Sequence, residues 1–349
     1  MMDRTDIIRY LQSYDGPEVS IMEVCGSHTG AISKSGIPSL LSDKIHLISG
    51  PGCPVCVTPS SYVDRLIELS MRKDTCVVTF GDMLRIPGST VSLAQAKGQG
   101  AHVEMVYSPF DILKLAAKAP QTTFVFAAVG FETTMPVYAL LMQTLEQESV
   151  SNVKLLTALK TMPPVIDTLC AQQAKIDGFL APGHVAVVTG YKVFDPLAQT
   201  YKIPFGVAGF QASQILVALY GILHAYHQPK VMNFYPEVVT EAGNEKAQEL
   251  IDRYFEPVDA VWRGMGIICG SGRQLRNQYS AFDAGSANLN EDHKMNQKCC
   301  CDKVLTGKMR PYQCPLYGKA CTPLQPQGAC MVSEEGNCHS YFINQRNDR

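Results

Sequence analysis

Three short strings in the first third of the sequence gather side chains suited to metal or thiol chemistry: CGSHT at 25–29, GPGCPVC at 50–56 and FGDMLRIPG at 80–88. Each follows a run of β-branched and apolar residues, so each reads as a loop at the end of a strand. Open parallel sheets bind ligands beyond the carboxyl ends of their strands. The three loops are therefore expected on one face, where Cys25, Cys53 and Cys56 converge with His28 and Asp82 nearby. Thiolates are the side chains best suited to soft or borderline metals, and an iron or zinc site is the sharper reading. The plainer one makes Cys25 a small buried residue and Cys53 with Cys56 a C-x-x-C redox pair. Both fit one geometry, because a thiol pair ahead of a helix has lowered pKa values that favour metal capture and disulfide exchange alike.

A second set of loops, GFETT at 130–134 and PGHV at 182–185, places Glu132 and His184 on strand ends of their own. There a carboxylate and an imidazole can move protons or meet a partner's ligand. The plainer alternative for Glu132 is an acid that complements a helix dipole. Near the C-terminus, Cys314, Cys321, Cys330 and Cys338 are separated by six, eight and seven residues in a segment poor in apolar side chains. Four thiolates suit structural zinc or an iron–sulfur cluster, and such wide gaps do not choose between them. Cys299, Cys300 and Cys301 are consecutive, and side chains of neighbouring residues diverge on a regular backbone. They are expected to be exposed, oxidisable thiols without a role. Cys76 and Cys170 lie inside apolar patterns and read as packing residues.

The elements that position these groups alternate between strand and helix, the pattern of an α/β fold of parallel sheets covered by helices. Strands are expected at 19–24, 45–49, 75–80 and 101–106, with a helix over 60–72, and again at 123–129, 153–156, 178–181 and 203–207. The stretch AKAPQT at 117–122 breaks the apolar pattern between these sets. The division that follows is an α/β domain over 1–120, a similar α/β domain over 121–228 and a cysteine-rich domain over 229–349. That last domain needs something other than a large core to order it.

With 349 residues, 46% apolar and 18% charged, the chain has the length for two or three packed domains. A formal charge of −2 gives no electrostatic reason to bind nucleic acid or acidic membranes. The N-terminus is charged and lacks a secretory pattern, and the most apolar stretch, 210–226, is interrupted by polar residues, so a cytoplasmic protein without a membrane span is expected. Thirteen cysteines in that compartment direct attention to metals and redox chemistry instead of a disulfide framework.

Taken together and in this order, EVCGSHT, GPGCPVC, FGDMLRIPG, GFETT, PGHV and the four-cysteine tail resemble the HypD family of NiFe-hydrogenase maturation proteins over about residues 20 to 340. The resemblance implies two similar α/β domains and a third holding a 4Fe–4S cluster, here through Cys314, Cys321, Cys330 and Cys338. It implies a scaffold on which iron acquires two cyanides and one carbon monoxide, as Fe(CN)2CO, for the hydrogenase large subunit. A small HypC-type chaperone and a HypE-type cyanide donor are the implied partners. By motif, Cys25, Cys53 and Cys56 are similar to the family cysteines of iron binding and thiol redox chemistry, with His28, Glu132 and His184 on neighbouring loops. The chaperone is expected to dock over the cleft between the α/β domains, with iron held between it and these cysteines. The chain departs from the family pattern at GFQAS (209–213), where a glutamate and proline are expected, and at Cys269, where proline is expected. The rival functions are a cluster-dependent thiol–disulfide reductase and a structural zinc-binding interaction protein.

Overall fold

The computed structural model describes residues 3–172 and 175–344. Eleven strands are found among them: β1 Val19–Glu23, β2 Ile45–Ser49, β3 Thr75–Thr79, β4 Val103–Met105, β5 Thr123–Gly130, β6 Val153–Lys160, β7 Gly178–Pro182, β8 Phe205–Ala208, β9 Val231–Asn233, β10 Phe255–Trp262 and β11 Gly266–Leu275. All eight strands expected from the sequence form, and the helix expected over 60–72 forms as Ser60–Ser70. That helix buries Tyr62, Val63, Leu66 and Leu69, spaced three and four residues apart along one stripe. Strands β1 and β7 are buried throughout, and β5 is buried in all but its first residue, as strands covered on both faces must be. The fold class is α/β with parallel-dominated sheets.

The strands do not pair as the linear sets suggest. One five-stranded sheet, in the order β2-β1-β7-β8-β9, is parallel throughout. The other has six strands in the order β10-β11-β6-β5-β3-β4, with β3 to β6 parallel and the β10–β11 hairpin antiparallel at one edge. Each expected set of four is thus split, two strands to each sheet, and a boundary near residue 120 does not separate the sheets. The chain leaves the first sheet through helix Ser60–Ser70 and returns after helix Met162–Ala171. Apolar runs reveal that a strand exists; which strand lies beside it depends on long-range packing that a run does not encode.

A shared core joins the two sheets to the C-terminal segment. Val24, Cys53, Cys56 and Phe179 from the first sheet and its loops pack in one buried cluster with Val125, Leu156 and Trp262 from the second, and with Cys301, Leu305, Ala329, Cys330 and Val332. The cysteine-rich segment is therefore ordered partly by burial in the common core.

Candidate functional site: a paired cysteine loop and a thiol chamber

Because the first sheet is parallel, its strands end on one edge, and the neighbours β2, β1, β7 and β8 deliver GPGCPVC, CGSHT, PGHV and GFQAS there side by side. FGDMLRIPG and GFETT follow β3 and β5, on the second sheet. The expectation that the first three loops share one sheet edge thus holds for two of them, and PGHV joins those two from later in the chain.

Cys25 precedes helix Gly26–Lys34 and turns its sulfur toward the backbone N–H groups of Ser27 and His28. Burial nevertheless pushes its thiol up to about 12, against the lowering by these amides. Beneath it, Glu23 accepts hydrogen bonds from Cys25 N at 2.9 Å and from the Thr29 hydroxyl. Glu23 is almost fully buried, and burial raises its carboxyl to about 7. The Cys53 loop lies directly against the Cys25 loop: Gly26 N donates to Gly52 O at 3.0 Å, and a Cβ on Gly52 would stand 2.4 Å from Cys25 N. Only glycine permits that approach. Cys53 and Cys56 are buried and joined in a disulfide. Asn337 clamps this loop from the tail, its amide donating to Ser49 O and Gly50 O, both at 3.1 Å.

His28 is fully buried, with Nε2 3.0 Å from Gly209 O and Nδ1 without a partner. Burial holds its imidazole down to about 4, so it is neutral at pH 7. The Phe210 ring lies between His28 and His184, at 4.7 and 4.1 Å between centroids, so the two imidazoles share one aromatic platform. Glu132 sits elsewhere. Its Oε1 accepts from Met162 N at 2.7 Å, at the start of helix Met162–Ala171, while Oε2 is buried without a partner. Burial raises this carboxyl to about 7 as well. Asp82 accepts from Ser333 Oγ at 2.6 Å, and Arg85 donates to Val332 O at 3.1 Å. FGDMLRIPG thereby fastens the tail segment whose Glu335 lies against Gly26.

In the C-terminal segment, seven cysteines line one small cavity: Cys299, Cys300, Cys301, Cys314, Cys321, Cys330 and Cys338. The expectation that Cys299–Cys301 are bystanders at the surface is thus corrected. Cys301 is buried with its sulfur 2.7 Å from that of Cys330. Consecutive thiols converge here because the backbone is irregular, with Cys300 off helical geometry immediately before helix Cys301–Leu305. Thiol donors from Cys299 and Cys330 draw Cys301 well below the usual thiol range, and the guanidinium of Arg263 adds to this. Among the described residues, no three His, Cys, Asp or Glu side chains form a preformed metal-ligand group. Seven thiols around one cavity are nonetheless the donor chemistry that an iron–sulfur cluster requires. The chamber adjoins the disulfide, for Cys56 Sγ is 3.8 Å from Ala329 O, next in sequence to Cys330.

A family model labelled HypD and described as a hydrogenase formation hypA family matches residues 4–345. The chain belongs to the HypD family. It is similar to the hydrogenase maturation factor HypD of Escherichia coli K12, 41% identical over 329 residues that cover 92% of this chain and 88% of that protein. The HypD of Rhodobacter capsulatus is 41% identical over 334 residues, 93% and 89% of the two chains. A putative hydrogenase expression/formation protein of Methanocaldococcus jannaschii is 40% identical over 332 residues, 93% and 92%. Among this HypD chain's described residues no helix is long and apolar enough to cross a membrane. Beside GFQAS, Gln214 Oε1 accepts from Gln211 N at 3.3 Å, at the start of helix Ala212–His224. Sequence reasoning missed Glu23 and Arg263. The first had a visible signal, a carboxylate closing the apolar run SIME just before CGSHT; the second had none, because its partners Thr58 O and Pro87 O are distant in sequence.

Proposed function

We propose that this chain is a scaffold for assembling the Fe(CN)2CO fragment of NiFe hydrogenase, with iron as cargo at Cys25, Cys53 and Cys56. In this proposal four thiols of the C-terminal chamber, Cys314, Cys321, Cys330 and Cys338 by motif, hold a 4Fe–4S cluster. Beyond family membership, one observation carries it: Cys25, the Cys53–Cys56 disulfide and the thiol chamber lie in succession, linked by the Gly26–Gly52 contact and by Cys56 against Ala329. When bound, a cluster supplies single electrons at low potential. Opening the disulfide takes two electrons, passed one at a time from an external low-potential electron donor, and two protons from solvent, and yields two thiols, which on losing those protons become thiolate ligands for iron. Glu23 fixes the Cys25 loop in register with the Cys53 loop, and the neutral His28 ties the helix that follows Cys25 to Gly209 O. Asp82, Arg85 and Asn337 hold the chamber segment against both loops. A HypC-type chaperone, a HypE-type cyanide donor and the hydrogenase large subunit are the partners this function requires, in a cytoplasm that keeps thiols reducible.

The test is an anaerobic visible spectrum with iron and sulfide analysis on the purified chain and on a Cys314→Ala/Cys321→Ala variant. A brown, sulfide-containing protein that bleaches in the variant supports the cluster; a colourless, zinc-loaded protein rejects it. The disulfide beside Cys330 also favours a second function, a reductase for a client's disulfide. That function demands turnover of a generic disulfide substrate, which a scaffold does not.

A further inference from the structure

A cavity of about 340 Å³ lies between the end of β6, the β10–β11 hairpin and the loop 286–290. It exists because the hairpin is only loosely joined to its sheet. Strand β11 pairs with β6 at two positions, Gly272 with Lys160 and Arg273 with Leu159, and β10 is irregular between Val258 and Ala260. Pro59, three residues beyond Cys56, lines one wall.

Two cations and one carboxylate line this cavity. Lys160, which lines it, is 3% exposed, and its ammonium donates to Val261 O at 2.8 Å and lies 5.6 Å from the centre of the Trp262 ring. Among the described residues it makes no ion pair. The carboxylate that acts on it through space, Asp292, is committed to Ser60 N at 3.1 Å and Gly264 N at 2.9 Å, and stands 3.9 Å from Arg263. Arg273 lines the cavity as a second cation, paired at 3.4 Å with Asp252. The lining carboxylate, Asp259, accepts from Gly270 N at 2.9 Å. A buried cation whose nearest carboxylate is already committed to other donors is costly to hold, and a bound oxyanion lowers that cost. Burial also pushes Lys160 down to about 7, against the opposing pull of Asp292.

We propose that this cavity is a binding site for a small anionic metabolite, a phosphate ester or a carboxylate, whose oxyanion pairs with Lys160. The site is separate from the cysteines and does not rest on the iron-assembly function. The experiment is a titration of the full chain with inorganic phosphate and, in parallel, with acetate, followed by NMR of the anion and of ¹³C-methylated lysines. Saturable binding is expected, weakened about tenfold or more in Lys160→Met, the loss of one charge-assisted contact. The anion that binds more tightly identifies the ligand class. Absence of saturable binding by the wild type at about 10 mM of either anion, a range that still detects weak sites, overturns the proposal, as does unchanged affinity in Lys160→Met. Should that variant not fold, the wild-type Lys160 resonance decides: an anion-dependent shift supports the site, and a signal unmoved by both anions overturns it.

Discussion

Glu23 shows how one buried carboxyl serves a neighbouring thiol. Replacing it with alanine leaves Cys25 N–H and the Thr29 hydroxyl without their acceptor, which costs about 1–3 kcal/mol. Glu23→Ala is therefore expected to melt several degrees below the wild type, and Glu23→Gln, which retains an acceptor oxygen, to lose less. Glu23 and Glu132 are both raised to about 7 in the fold from an ordinary value of 4.5. The folded state holds their protons more tightly than the unfolded state does. Their contribution to stability is present in full below about 4.5 and declines as pH rises through about 7. Denaturant unfolding at pH 5 and pH 7.5 should register that decline, and Glu132→Gln should flatten part of it. Cys53→Ala or Cys56→Ala is expected to abolish delivery of the iron fragment while the chain still folds and melts cooperatively. Unimpaired hydrogenase maturation in either variant would count against iron handling at these residues.

At the level of elements, contact between the Cys25 and Cys53 loops depends on a missing side chain. In Gly52→Ala the added methyl carbon meets Cys25 backbone atoms at 2.4 to 2.6 Å, and neither β1 nor β2 can yield, since they pair over five residues. A loss of about 1–3 kcal/mol is expected, the usual cost of overpacking. A rise in the reactivity of the Cys25 thiol toward alkylating reagents should accompany it. Strands and their terminal loops were legible in the sequence because apolar runs and glycine punctuation are local signals. The pairing of β1 with β7 and of β3 with β5 was not, and neither was the hairpin β10–β11, whose alternately exposed residues EPVDA mask its first strand. The candidate site divides in the same way. Cys25, Cys53 and Cys56 sit where loop reasoning puts them, whereas Cys301 was misjudged because an irregular backbone frees consecutive side chains from the directions that a strand or helix imposes.

Across the whole molecule, the C-terminal segment is structural as well as chemical. Ala329, Cys330 and Val332 are among the most buried residues in the chain and pack in the cluster that contains Cys53 and Cys56. A chain ending before Lys298 would bare that side of the core. It is expected to be recovered as aggregate or, if soluble, to lack the sharp near-ultraviolet circular dichroism of the full chain. Retention of a cooperative melt by the truncated chain would show that the α/β layers are complete without the tail. The threading of the chain between the two sheets has a consequence for synthesis. Met22 and Glu23 pair with Phe179 and Leu180, so β1 and β2 leave the ribosome long before the strand that must lie beside them. Throughout that interval the cysteines of the first two loops are made but have no cover, and the open edge of β1 is available to any other strand. Nascent chains of this protein should therefore depend on a holdase and on a reducing milieu until the far end of the sequence arrives to close over them.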